Sequence, residues 1–305
     1  MVDLTNSQVD KLKTYDGANG KKLSVIYNNE RYMVKFNAAK KGVAFNSSIS
    51  EHIACSIFNS LGVDAQKTFL ANYTINNKNY LVVACKDFEQ NGFLLRNFVG
   101  IANSCISTLN GSSLELSEIL KAIQEQEIVS SEVVTARFWD MFICDALLGS
   151  FDRHNGNWGF LVNPATRETK LAPVFDCGSC LYPRLQDKDL ANIISSKTEI
   201  EQRIKVFPTS AIKLNDKKIC YQEFLEETDN KDCIKSLIKI SERIDYSKIE
   251  NIINNCPITN IRKEFYLTMI KQRQKQILQN ALENNLSVKQ LFAVGSTSKP
   301  PNFLM

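Results

Sequence analysis

Histidine is almost missing from this chain: His52 and His154 are the only two among 305 residues. A zinc site draws several imidazoles or thiolates together at short spacing, and no such grouping is visible, so a zinc centre is not expected. Long apolar runs are missing too. The longest, at 80–85 and at 142–148 around Asp145, fall far short of the roughly 20 residues that span a bilayer. The opening Met1-Val-Asp-Leu-Thr-Asn has no basic segment followed by an apolar one, so no Sec-type signal peptide is read there. Charge of one sign is lacking as well. Lys and Arg number 37 against 33 Asp and Glu, and the net +4 gives no ground for direct nucleic-acid binding. No internal repeat is visible.

What is present suits a folded chain with a substantial core. Hydrophobic residues make up 44% and charged residues 23%, an ordinary soluble mixture. At this length, one large domain or two coupled lobes is expected. Nine cysteines are spread singly through apolar segments, as at Cys55, Cys105 and Cys144. That is the pattern of buried, reduced thiols in a cytoplasmic-type protein. The one C-x-x-C, Cys177-Gly-Ser-Cys180, lacks a second ligand pair or a thioredoxin-like setting. From Thr259 onward seven basic residues (Arg262, Lys263, Lys271, Arg273, Lys275, Lys289, Lys299) stand against Glu264 and Glu283. They read as a solvated helix face, or as a surface for an acidic partner or a membrane.

Along the chain, β-type runs at 22–27 and 31–36 flank Asn28-Asn29, and others at 68–75 and 80–85 flank Asn76-Asn77. Both read as hairpins. Between them Ile49, Ile53, Ile57 and Leu61 recur every four positions, a helix stripe closed by Gly62. Helices are expected at 114–126 and at 132–148, the second apolar nearly all round and therefore buried. Strands follow at 158–162 and 170–175. Beyond 186 the pattern is helical, at 221–227, 233–243, 246–254 and 261–286, before a Pro- and Ser-rich tail. The expected fold is α+β, with a β-rich N-lobe over 1–87, a mainly helical C-lobe over 88–292, a disordered tail over 293–305 and a ligand cleft between the lobes.

The strongest chemical signal is Ser150-Phe-Asp152-Arg-His-Asn-Gly-Asn157-Trp-Gly, followed by Pro173-Val-Phe-Asp176-Cys-Gly178. Phosphoryl transfer asks for little covalent work but for positioning and for neutralisation of phosphate charge. Protein kinases place a base Asp and a metal-binding Asn five positions apart on one loop, with a second metal-binding Asp on the next hairpin. Asp152 and Asn157 have that separation, and Asp176 comes 19 residues later, after two predicted strands. Asp152 is thus the candidate base, and Asn157 and Asp176 the candidate Mg²⁺ ligands.

The N-lobe offers the other half. Lys35 sits in a predicted strand, either as an outward snorkelling residue or as an anchor for the α- and β-phosphates of ATP, held by Glu51. Glu51 has a rival role as the third helical residue of a capping box, Ser48-Ile-Ser-Glu51. Gly17, Ala18, Asn19, Gly20 and Lys21 form a loop whose backbone amides suit phosphate. Val83, Ala84 and Cys85, where sheet passes into helical lobe, stand where a hinge would present backbone groups to adenine. His154 either braces its loop or contacts phosphate.

Taken together, the run Gly17-Ala-Asn-Gly-Lys21, the strand Val34-Lys35-Phe36, the helix opening at Ser50-Glu51, the Val82-Val83 strand, the Asp152–Asn157 loop and Pro173-Val-Phe-Asp176 resemble the HipA-like serine/threonine kinases over about residues 14–290. The resemblance implies a two-lobed protein-kinase-like (HipA-like) fold and ATP- and Mg²⁺-dependent phosphorylation of protein Ser/Thr, with self-phosphorylation. It implies Asp152 as base, Asn157 and Asp176 as metal ligands and Lys35 as phosphate anchor. Two departures stand out. The phosphate loop opens near Thr14, without the N-terminal subdomain that toxin members carry before it, so an antitoxin-type partner is not expected. Asn19 replaces the family's usual Gln, and Thr14 occupies roughly the place of its self-phosphorylated serine. By resemblance alone, a bacterial effector translocated into host cells is an alternative to a cytoplasmic enzyme. Phosphatidylinositol kinases carry a similar Asp152–Asn157 loop and remain a competing reading, as do a small-molecule kinase and a pseudokinase scaffold.

Overall fold

Two Asn-Asn dipeptides set the geometry of the first sheet. Asn28 and Asn29 have φ of 50° and 61°, and Asn76 and Asn77 have φ of 49° and 61°. Paired left-handed residues make the tight turn whose twist matches that of the flanking strands, and asparagine tolerates that conformation best after glycine. The computed structural model describes residues 1–15, 20–37, 39–40, 43–105 and 111–285. Within it, the strands are β1 (Val2–Asp3), β2 (Gln8–Val9), β3 (Lys22–Tyr27), β4 (Glu30–Phe36), the two-residue pair β5 (Ala39–Lys40) and β6 (Val43–Ala44), and then, after helix α1 (Ser47–Ser60), β7 (Thr68–Ile75) and β8 (Lys78–Lys86). Six of them form one curled sheet in the order β1-β7-β8-β4-β3-β2, antiparallel except for β1 beside β7.

Strand periodicity then sorts the side chains. Val34 and Phe36 of β4 join Leu4, Val25, Ala71, Tyr73, Val82 and Ala84 in a core on one face of the sheet. Lys35, between them, points to the other face, where α1 lies. The predicted stripe of Ile49, Ile53, Ile57 and Leu61 is buried there, and Gly62 follows with φ of 74°. Helix α1 packs on β7 and β8 and also on a helix of the second half, so its stripe belongs to the larger core of the molecule.

The helical part comprises β9 (Leu94–Asn97), α2 (Phe98–Cys105), α3 (Leu116–Glu125), α4 (Ser131–Leu148), β10 (Gly159–Val162), β11 (Thr169–Leu171), α5 (Asp187–Ser195), α6 (Lys197–Lys205), the hairpin β12 (Lys213–Leu214) and β13 (Lys217–Lys218), α7 (Tyr221–Glu227), α8 (Lys231–Glu242), α9 (Tyr246–Asn254) and α10 (Asn260–Arg273). Helix α4 is the central pillar, buried from Phe138 to Leu148 except at Asp140, and ended by Gly149 with φ of 66°. Strands β9, β10 and β11 form a small antiparallel sheet beside it.

Several expectations shift. The strand expected at 170–175 stops at Leu171, because Pro173 has no N–H to continue the ladder. Val174 instead bridges to Ala65 across the molecule, its N–H donating to Asp64 O and its carbonyl accepting from Gln66 N. Strand β9 has no signature in the sequence: Leu-Leu-Arg-Asn has no alternation, and its pairing with β10 is long-range. The single helix expected over 261–286 contains a π-helical stretch at Gln274–Gln279. The tail at 293–305 lies outside the described residues. Of the basic C-terminal residues, Arg262 and Arg273 are buried. Arg262 binds Asp187, and Arg273 donates to the carbonyls of Ala146 and Arg203, so neither serves a surface. Among the described residues no helix is long and apolar enough to cross a membrane.

Gly159 marks the closest backbone approach in the small sheet: a Cβ there would meet Arg96 O at 2.2 Å and Asn97 Cα at 2.9 Å. We expect Gly159→Ala to destabilise the protein by roughly 2 kcal/mol or more through overpacking against backbone that cannot yield. A urea midpoint equal to wild type would contradict this.

Candidate active site

Side chains from both halves converge on one cleft, lined among others by Lys35, Ser48, Glu51, Val83, Asp152, Asp176 and Gly178. Lys35 reaches it because the pleat turns it toward α1. Its ammonium lies 3.2 Å from Glu51 Oε2 and 3.1 Å from Asp176 Oδ1, and its side chain is only 12% exposed. Burial alone would discharge Lys35, but the Asp176 and Glu51 carboxylates outweigh it and hold the ammonium well above its ordinary pKa. The charge of Lys35 in turn holds the Asp176 carboxyl below its usual range, against the opposing effect of burial. The snorkelling alternative for Lys35 is therefore overturned.

The capping-box role for Glu51 is overturned by register. Helix α1 starts at Ser47, after Asn46, which places Glu51 beyond the first turn. Asn37 caps the helix instead, its Oδ1 accepting from Ser48 N at 2.8 Å, while Ser48 Oγ donates to Lys35 O. The same two contacts tie the Lys35 strand to the Glu51 helix. Glu51 is 2% exposed, and its Oε1 has no hydrogen-bond partner among the described residues. Gly178 lets the Asp176 segment press against this corner: a Cβ there would lie 3.1 Å from Glu51 Oε2.

The Asp152–Asn157 loop is built on Arg153, which is 3% exposed. Its Nε and Nη2 donate to the two oxygens of Asp145 on α4, at 2.9 and 3.2 Å. Its Nη1 donates to the carbonyls of Asn157 and of Phe175, and Nη2 also reaches Cys177 Sγ at 3.3 Å. One guanidinium thus binds the pillar helix, the loop and the segment carrying Asp176. Burial opposes its charge, and Asp145 overcomes that and holds Arg153 well above its ordinary pKa. Helix α2 adds a second anchor, with Phe98 N and Val99 N donating to Trp158 O and Asn155 O, both at 2.9 Å. His154 Nδ1 accepts from Gly156 N at 3.1 Å, so the ring braces the loop.

Asn157 Nδ2 donates to Asp152 O at 2.9 Å, and Asn157, buried behind Asp152, is not among the residues that line the cleft. Asp176 has φ of 57°, a left-handed backbone that directs its carboxylate toward Lys35, and its side chain is 46% exposed. These are hard oxygen donors of the kind Mg²⁺ prefers. Among the described residues no group of three or more His, Cys, Asp or Glu is arranged to hold a metal. A cation here would need phosphate oxygens to complete its shell, as Mg²⁺ does when it enters with a nucleotide.

One sequence assignment does not serve the cleft as expected. Val83, Ala84 and Cys85 lie in the middle of β8, paired with β7 on one side and β4 on the other. Their backbone groups are spent in the sheet, so they cannot serve a base; only Val83 contributes a side chain to the cleft. The chain leaves the sheet later, at Asp87. Gly17, Ala18 and Asn19 lie outside the described residues, whereas Gly20 and Lys21 lead directly into β3 beside the Lys35 strand. The Cys177–Cys180 pair is buried as free thiols. The organising role of Arg153 escaped the sequence reading, although a lone Asp145 inside an otherwise apolar helix was a signal that a buried cation must meet it.

Comparison with known proteins bears on the family and the fold. The HipA-like C-terminal domain model matches residues 14–247. The chain is 44% identical over 300 residues to the serine/threonine-protein kinase CtkA of Helicobacter pylori, covering 95% of this chain and 91% of that protein. The crystal structure of a Helicobacter pylori proinflammatory kinase CtkA matches with a TM-score of 0.89 and 42% identity, over 94% of this chain and 98% of that one. HipA of Shewanella oneidensis MR-1, solved with HipB and its operator DNA, matches with a TM-score of 0.53 at 14% identity, over 90% of this chain and 69% of that one. That last likeness is of fold alone.

If Arg153 carries the geometry as well as a buried charge, the two effects separate in a double substitution. Arg153→Met should cost roughly 3 kcal/mol or more in urea unfolding, because Asp145 is left buried without its charged partner. Adding Asp145→Leu should recover much of that stability. Catalytic activity should stay low in the double variant, since the Asn157 and Phe175 carbonyls remain untethered; full recovery of activity would reduce Arg153 to a charge partner.

Proposed function

The chain belongs to the HipA-like C-terminal domain family, and on that premise we propose that it transfers the γ-phosphoryl group of Mg²⁺-ATP to serine or threonine hydroxyls of proteins, itself included. Its class, serine/threonine-protein kinase, is that of a relative sharing 44% identity over nearly the whole chain. The nucleotide, the metal and the self-reaction are our reading of the site. The observation that carries it is the Lys35 ammonium held between Glu51 and Asp176 in a cleft that also contains Asp152.

Each group has a defined task. Lys35, kept protonated by its two carboxylates, supplies a fixed positive charge to nucleotide phosphates, and Glu51 holds it in place. Asp152 accepts the proton of the attacking hydroxyl. Its backbone carbonyl takes hydrogen bonds from His154 N and the Asn157 amide, which fixes the loop on both sides of the base. Asn157 and Asp176 would hold Mg²⁺, whose charge offsets that on the phosphate oxygens. Gly20 and Lys21 stand at the end of the candidate phosphate loop. Thr14, exposed just before it, is a candidate self-acceptor.

The pseudokinase reading is disfavoured by the convergence of Lys35, Glu51, Asp152 and Asp176 in one cleft. The lipid-kinase reading loses part of its basis, because Arg262 and Arg273 are internal struts.

Incubation with Mg²⁺ and γ-labelled ATP, with phosphosite mapping, tests the reading. Wild type should label Ser or Thr on itself and on a generic protein substrate. Asp152→Asn should bind nucleotide normally and lose turnover by about 10²–10⁴-fold. Asp176→Asn should lose both turnover and Mg²⁺-dependent nucleotide affinity, as read by calorimetry. Thr14→Ala should remove one mapped site if that residue is an acceptor. Wild-type labelling rates in both aspartate variants would sink the assignment.

A further inference from the structure

Beside the catalytic cleft lies a second depression of about 330 Å³, lined by Phe151, Tyr182, Pro183, Leu185, Val206 and Phe207 together with Arg184, Gln202 and Arg203. We propose that it holds an apolar side chain of the acceptor protein, a few residues from the hydroxyl being phosphorylated. This rests on the protein-kinase reading and extends it to the choice of substrate.

Continuity with the cleft is the first argument. Phe151, Pro183 and Arg184 line both spaces, and Phe151 directly precedes Asp152. The Phe207 ring packs on the Phe151 ring, centroids 5.6 Å apart, so the wall of the groove is joined to the catalytic loop. An extended chain advances about 3.3 Å per residue. With an acceptor hydroxyl at Asp152, the groove that shares Phe151, Pro183 and Arg184 with the cleft is where a nearby side chain of an extended segment would lie. Val206 and Phe207, 66% and 51% exposed, are two consecutive large apolar residues presented to solvent at its rim. Apolar surface gathered beside a polar cleft marks a contact site.

Backbone strain is the second argument. Leu181 and Tyr182 have φ of 57° and 54°, a conformation that bulky residues rarely adopt and that persists only where surroundings enforce it. Here they do: Leu181 N donates to Leu148 O at 3.0 Å, Tyr182 Oη to Arg203 O at 2.5 Å, and Asn46 N to Pro183 O at 2.8 Å. The enforced turn brings Pro183 and Arg184 back to the cleft, where they divide it from the groove. The Arg184 guanidinium lies over the rings of Phe45 and Phe151, at 5.6 and 5.4 Å. No carboxylate among the described residues lies within ion-pair distance of it. Its N–H edges are available to carbonyls of a bound segment, which suits an extended peptide crossing from cleft to groove.

The experiment is a serine-acceptor peptide library, each flanking position fixed in turn to every amino acid, phosphorylated by wild type and by Val206→Asp. Wild type should select Leu, Ile, Met or Phe at one position within four residues of the serine. Val206→Asp, a change at an exposed position, should erase that preference and lower kcat/KM for the best peptide at least tenfold through KM, with nucleotide affinity unchanged. Val206→Leu should retain the preference. Efficient phosphorylation with no apolar selection, or selection unaltered in Val206→Asp, would overturn the groove assignment while leaving the kinase reading intact. A dimer in sedimentation that dissociates in Val206→Asp would overturn it in favour of a second copy of the chain as occupant. No peptide or protein labelled by wild type would remove the kinase reading and the groove with it.

Discussion

Arg153 has to keep its charge in the interior of the protein, and the way it does so arranges everything around the cleft. Asp145 takes two of its N–H groups in a bidentate pair, and carbonyls of Asn157 and Phe175 share a third nitrogen. A buried ion pair of this kind is a poor source of net stability, because desolvation consumes most of what the attraction returns. What it gives is geometry. The guanidinium is planar, with donors in a fixed fork, so the pillar helix, the Asp152–Asn157 loop and the Asp176 segment cannot shift independently without depriving a buried charge or carbonyl of its partner.

The second constraint is the position of α1 between sheet and helices. Its apolar stripe belongs to the larger core, and its first turn is fastened to the Lys35 strand by Asn37 and Ser48. Movement of the sheet relative to the helical part must therefore carry α1 or break its packing. The cleft sits where these two constraints meet: Lys35 arrives from the sheet, Glu51 from α1 and Asp176 from the segment held by Arg153. Backbone strain gathers on the same side, at Asp176, Leu181 and Tyr182, in line with the tendency of strained residues to cluster at functional sites.

Where the sequence reading failed, a long-range partner had overridden a local pattern. Ser48-Ile-Ser-Glu51 has the spacing of a capping box, yet Asn37, from the end of a strand, supplies the cap and Glu51 turns to Lys35. Val83, Ala84 and Cys85 look like a boundary between sheet and helices, but β4 and β7 close on both sides of β8 and consume their backbone groups. Strand β9 is visible only through β10. The basic C-terminal residues read along the chain as surface charge, yet Arg262 and Arg273 reach inward to Asp187 and to helix-end carbonyls.

Residues alone determined whatever depends on neighbours in the chain: the two Asn-Asn hairpins, the α1 stripe with its closing glycine, the buried α4, and the ordered spacing of Asp152, Asn157 and Asp176. Turn preference and helical or strand period act over a few residues, so they can be read along a line. Tertiary structure alone decided which face Lys35 takes, which of two roles Glu51 serves, that Arg153 binds three separate segments, and that an apolar groove adjoins the cleft. Those outcomes depend on charges and side chains distant in sequence that meet only when the core closes, where burial makes every unpaired group costly and leaves one arrangement satisfied.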